Sequence, residues 1–151
     1  MLQEFRKYIK RLDENTNTKH TIYTIDSNLI SEVEKFIIIP KELKNFYIEF
    51  GYGFFHVESD SSFKLMSPEE YQQINLKQDF YEFDPALEIY DNLYNDTKFL
   101  FFEVVEGTYL AIDKEDCNGK NAIYYFDERI ANSLEEFIIK FDTERTYFEK
   151  D

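Results

Sequence analysis

The chain of 151 residues has no tryptophan, one cysteine, two histidines, three prolines and four glycines. Each scarcity excludes something. Cys117 has no second thiol with which to close an internal disulfide. It also lies among acids in "DKEDCNGK", which disfavour a reactive thiolate. With His20 and His56 as the only imidazoles, a zinc ion would have to draw most of its ligands from carboxylates, so no metal is expected. Neither G-x-G-x-x-G nor G-x-x-x-x-G-K can be written with these glycines, which removes the phosphate cradles and with them a nucleotide cofactor. An EF-hand register on Gly119 puts Lys114 and Tyr125 where the loop requires an acid and a bidentate Glu. No apolar run approaches membrane-spanning length, and "MLQEFRKYIKRLDEN" is charged throughout, unlike a signal peptide. The expectation is a cytoplasmic protein with no cofactor and no membrane partner.

What is abundant is aromatic and acidic. Sixteen Phe and 12 Tyr bring the aromatic share to 19%, within a hydrophobic share of 43%, enough to exclude general disorder. A chain of this size buries roughly two thirds of its unfolded surface, so residues 1–151 are expected to form one domain. Against 17 basic side chains stand 31 acidic ones, a formal net charge of −14. Such a field repels phosphate backbones, which argues against direct nucleic-acid binding, and draws in basic partners; it also serves solubility alone.

Periodicity sets the elements. Leu2, Phe5, Tyr8, Ile9 and Leu12 predict a first helix, followed by the polar loop "DENTNTKH". A second helix starts near Asp26 or Ser27 and carries Leu29, Ile30, Val33 and Phe36 on one face. In "IPKELKNFYIEFGYGFF", Pro40 suits a helix start, Leu43, Phe46, Tyr47 and Phe50 form a stripe, and Gly51 suits a left-handed stop before a strand. "GFFHVES" and "SFKLM" read as a hairpin, with His56 a partly exposed strand residue. Capping boxes, Ser67 with Glu70 and Ser133 with Glu136, open two later helices, the last burying Leu134, Phe137, Ile138 and Phe141. Between them, Glu106-Gly107 and Asn118-Gly119 divide "KFLFFEVVEGTYLAIDKEDCNGKNAIYYF" into the strands of a meander. The fold class is therefore α+β: a single domain with an antiparallel-rich sheet, a central meander, and helices packed mainly on one side and at the ends.

One segment stands out for partner binding. "QDFYEFDPALEIYDNLYNDT", between Lys77 and Lys98, holds six acids and five Phe or Tyr without a basic residue. Its aromatics offer contact area and its acids orient a cationic surface. Asp79, Tyr81, Glu82, Asp84, Glu88 and Asp91 are the candidate contacts, with Glu58 and Asp60 of the first hairpin secondary. The same segment also reads as a core helix, with Phe83, Leu87, Tyr90 and Tyr94 as a buried stripe that Ile89 and Leu93 extend, and exposed aromatics would equally suit a homodimer contact. No nucleophile–base pair is evident, so no catalytic residue is assigned, although so many acids guarantee chance carboxylate pairs.

"ISEVEKFIIIPKELKNFYIEFGYGFFHV" resembles the signature of the SUKH superfamily, with Glu34 as the helix acid, Ile39-Pro40 as the dipeptide and Gly51 and Gly53 as the turn. "FKLMSPEEY", "FLFFEVVEGTYLAID" and "IANSLEEFIIKF" resemble its later strand–helix unit, central hairpin and closing helix. Tyr52 between the glycines and the "VVEG" segment depart from the usual pattern and bear on the subfamily. The resemblance implies a bacterial immunity protein that binds and neutralises a cognate polymorphic toxin, typically through a nuclease-type, basic C-terminal domain, by stoichiometric inhibition without turnover. The alternative it implies is a non-catalytic regulatory scaffold module, as in the yeast cell-wall-assembly relatives.

Overall fold

A computed structural model describes residues 2–9, 19–59 and 63–149. Seven strands, β1 (Thr21–Tyr23), β2 (Tyr52–Phe55), β3 (Phe63–Leu65), β4 (Lys98–Val105), β5 (Thr108–Asp113), β6 (Ile123–Tyr125) and β7 (Glu128–Ala131), form one antiparallel sheet whose spatial order is the chain order. Five α-helices punctuate it: α1 (Ser27–Glu34), α2 (Lys41–Glu49), α3 (Pro68–Leu76), α4 (Glu88–Tyr94) and α5 (Leu134–Thr143). The architecture is the α+β arrangement that the turn and capping signals imply.

Local chemistry explains most boundaries. Asp26 caps α1 by accepting the Asn28 N–H at 2.8 Å, and the Ser67–Glu70 box closes in both directions at the start of α3. Leu43, Phe46, Tyr47 and Phe50 are all buried, as their spacing requires. α5 lies on one face of the sheet, where Phe137 and Phe141 meet Phe102 at ring distances of 5.4 and 5.3 Å and Phe141 meets Phe63 at 5.0 Å. Side chains alternate along β4 and β5, so Tyr109 points to the opposite face. There its ring packs 5.8 Å from that of Tyr90 in α4.

The structure corrects several expectations. The first helix is a short 3-10 turn, Gln3–Tyr8, after which Ile9 bridges to Ile22; Leu12 and most of the polar loop lie outside the described residues. α1 ends at Glu34, so Phe36 leaves the predicted face and is 65% exposed, while Ile37 and Ile39 turn inward. His56 is buried and left-handed (φ 51°), ending β2 instead of extending it. β1 and β7 were not expected: three and four residues are too short to show an alternation, and Phe126 turns the chain into β7 at φ 54° without a glycine.

Gly51 and Gly53 let β1 lie against the end of α2. A Cβ on Gly51 (φ 128°) would sit 1.9 Å from the Tyr23 carbonyl oxygen, and one on Gly53 2.1 Å from that of Thr21. Both contacts are with backbone, so neither yields by a rotamer change.

A second junction joins distant elements through one carboxylate. Glu42 Oε1 accepts the Asn121 and Leu134 N–H groups at 2.8 and 2.7 Å, and Oε2 accepts that of Glu135 at 3.0 Å. Asn121 answers by accepting the Glu42 N–H at 3.0 Å. The Ser133 hydroxyl takes the Glu136 N–H, so the first N–H groups of α5 are satisfied from within the fold.

Gly51→Val is expected to destabilise the protein by more than about 3 kcal/mol, from a positive φ combined with a backbone collision. Glu42→Ala, which orphans three donors, is expected to cost about 2–4 kcal/mol. Urea denaturation of each variant gives both values.

Candidate functional site

After α3 the chain turns sharply. Lys77 and Asp79 both adopt left-handed backbone (φ 54° and 51°), leading into the 3-10 turns Asp79–Tyr81 and Pro85–Leu87. Asp84 fixes the second turn by accepting the Ala86 N–H at 2.9 Å. This segment overhangs the β4–β5 hairpin. The Tyr90 hydroxyl accepts the Tyr109 N–H at 2.9 Å, which holds α4 against the hairpin.

Between overhang and hairpin runs a groove of roughly 710 Å³. Asp79, Glu82, Asp84, Glu103 and Glu106 line it, with Phe80, Tyr81, Phe83 and Tyr109 and without a single Lys, Arg or His. Phe80 and Phe83 are 78% and 87% exposed, more than any other large apolar side chain among the described residues. The Phe80 ring meets that of Tyr81 edge-on at 5.2 Å. The Glu82 and Glu106 carboxylates make no hydrogen bond or ion pair among the described residues.

Glu103 belongs to a row that crosses the sheet, Phe54, Lys64, Glu103 and Tyr109, each the register partner of the next. Lys64 is committed to Glu70 at 2.7 Å. Burial pushes the Glu103 carboxyl above the usual range, against the pull of Lys64, and Glu70 and Glu106 add to the rise. Burial, followed by nearby carboxylates, likewise raises the Tyr81 hydroxyl.

The groove brings together Asp79, Tyr81, Glu82 and Asp84 of the predicted contacts. Asp84 is half-buried and occupied in its cap, and Asp79 accepts from Gln73 at 3.2 Å. Glu88 is exposed on α4 and does not line the groove. Asp91 pairs with Lys77 at 2.9 Å beside a separate cavity of roughly 290 Å³. Glu58 is exposed, 3.9 Å from His56 Nδ1 and away from the groove, and Asp60 lies outside the described residues. Sequence reasoning missed Glu103, Glu106 and Tyr109, which reach the groove only by strand pairing. It also treated Phe83 as a candidate core residue. Of the expected stripe only Leu87, Tyr90 and Tyr94 are buried, and Ile89 and Leu93 face outward.

The two histidines make a closed cluster. His20 Nδ1 accepts the His56 N–H at 3.0 Å, so the His20 proton sits on Nε2 and is donated to Asp142 at 2.7 Å. His56 Nε2 donates to the Phe141 carbonyl at 2.7 Å. Burial lowers the His20 pKa, only partly opposed by the Asp142 hydrogen bond, so the contact is a neutral imidazole on a carboxylate. Asp142, pushed up by burial, is held below the carboxylate range by its bonds from His20 and Lys19. With both His20 nitrogens and His56 Nε2 engaged in the fold, the cluster is a structural clip.

The match to the SMI1/KNR4 family model (SUKH-1) runs over residues 24–140, from just after β1 through most of α5. This chain is a member of the SUKH-1 family. It is also 38% identical over 135 residues to "Immunity protein YxxD" of Bacillus subtilis (strain 168), covering 88% of this chain and 90% of that protein. No solved structure matches it significantly. Among the described residues of this SUKH-1 chain no helix is long and apolar enough to cross a membrane, and no group of three or more His, Cys, Asp or Glu is placed to hold a metal.

The histidine clip makes the SUKH-1 fold acid-sensitive. Because the folded His20 pKa lies below its ordinary 6.5, the unfolded chain binds the extra proton; stability is full above pH 6.5 and is lost as pH falls towards the folded value. Asp142 extends the loss in the same direction at lower pH. Denaturation curves from pH 8 to 5 are expected to slope by up to about 1.4 kcal/mol per pH unit below 6.5 in the native protein. In His20→Gln that slope should largely disappear.

Proposed function

We propose that this protein is a non-catalytic immunity protein that binds a cognate toxin domain one-to-one in the cytoplasm and neutralises it without turnover. The observation that carries the reading is the groove of five carboxylates and four aromatic rings free of any base. Family membership and the relative named as an immunity protein support the toxin-directed role. A nuclease-type toxin is the partner class that fits: a domain evolved to hold nucleic acid presents a basic face, and the net charge of −14 draws that face in. The protein acts as one domain over residues 1–151 and has no affinity of its own for nucleic acid. Asp79, Tyr81 and Glu82 are the contacts the groove offers from the overhang, with Asp84 as their support; Glu88 and Asp91 lie outside it and add long-range steering.

Calorimetry with the C-terminal domain of any large secreted protein encoded beside this chain tests the reading. The expected result is one-to-one binding that abolishes the domain's activity at saturation and weakens about tenfold or more as salt is raised from low to physiological concentration. Absence of binding at micromolar concentrations would overturn it.

A further inference from the structure

Three features of the groove narrow what its occupant must be. Phe80 and Phe83, the two most exposed large apolar side chains described, stand at its rim. Glu103 lies deeper, half-buried, and its carboxylate accepts no hydrogen bond from the described residues because Lys64, its cross-strand neighbour, is spent on Glu70. Asp79, Glu82, Asp84 and Glu106 surround these groups, and among the described residues no Lys, Arg or His lines the groove with them.

A small anion is repelled by such a lining. A purely apolar segment would cover the rings but strand the Glu103 charge away from water, which costs more than the contact returns. A lysine ammonium is a compact, strongly hydrated charge that meets a carboxylate well but gains little from flat rings. A guanidinium is planar, weakly hydrated, stacks on aromatic faces and offers paired donors that match a carboxylate.

We propose that the groove is an arginine socket: a protruding arginine of the toxin enters between Phe80 and Phe83 and seats its guanidinium on Glu103. Tyr109 forms the wall beside Glu103, and the outer acids guide the cation in without fixing it. Burial of Glu103 supports this placement, since a cation seated on it offsets the cost of holding that carboxylate partly away from water. The inference rests on the toxin-binding reading given above and adds the chemistry of the central contact.

The test uses the full chain and the toxin domain identified by the binding experiment above. Glu103→Gln and Phe83→Ala are each expected to weaken binding at least tenfold, against less than twofold for Glu32→Gln, a matched loss of one charge on α1. Thermal melts check folding: Phe83 is solvent-exposed and Glu103→Gln removes a half-buried charge, so both variants should melt within a few degrees of the native protein. On the toxin, one arginine should be found whose Ala and Lys variants both weaken binding to the native protein, with the losses no longer additive in the Glu103→Gln background. If the toxin binds Glu103→Gln and Phe83→Ala as tightly as the native chain, the socket is overturned while the immunity reading stands. Coupling of Glu103 to a toxin lysine, or to no cation at all, overturns the arginine assignment. A native chain that fails to bind the toxin refutes the underlying reading instead.

Discussion

The Glu42 carboxylate holds together parts of the chain that lie far apart in sequence. It stands in the first turn of α2, yet its bonds are to Asn121, just before β6, and to the first turn of α5, 79 to 93 residues away. A charged group of opposite sign to the helix terminus is thereby used as a structural anion, filling the donor site that a free helix end would offer to phosphate or to a substrate carboxylate. With α5 anchored in this way, Phe137 and Phe141 are aimed at Phe55, Phe63 and Phe102, and the sheet receives its cover. The glycine pair does the complementary job on the other side of α2, admitting the β1 backbone where a side chain would collide with it.

This rigid arrangement leaves the aromatic residues in two populations. Most are packed against one another in the core. Phe80 and Phe83 are not, and they occur where the backbone passes through two left-handed residues, Lys77 and Asp79, that carry the chain off the end of α3. The overhang is braced from below by the Tyr90 hydroxyl and from within by the Asp84 cap. A surface that exposes apolar rings while its supports are fixed is organised for contact before any partner arrives, which lowers the ordering cost of binding.

How much was legible follows from the range of the interactions involved. The Ser67–Glu70 capping box, the Ser133 cap, the glycine stop and the helical stripes are written within four or five residues of sequence, and they place α2, α3, α5 and the β4–β5 hairpin correctly; the second expected box forms only by half, because Glu136 accepts the Asn132 N–H instead. The acidic, aromatic segment after Lys77 was legible for the same reason. Hidden were contributions that depend on pairing between distant strands: Glu103 and Tyr109 become neighbours of Phe80 only once β4 and β5 are in register beneath the overhang. Phe83 misled because helical spacing continued through it, whereas Pro85 and the Asp84 cap begin the helix afterwards. His20 gave no signal, since a lone imidazole next to a polar loop looks exposed until β1 brings it under α5.

The order of strands in the sheet has a kinetic meaning. Every strand pairs with its immediate predecessor, so each hairpin can close as soon as its second strand has left the ribosome, without waiting for a distant one. Closure of the whole is different: His20, just before β1, finds its carboxylate on Asp142, near the end of α5. The sheet is thus assembled progressively, but its first strand is locked only after α5, which follows every strand of the sheet, has formed.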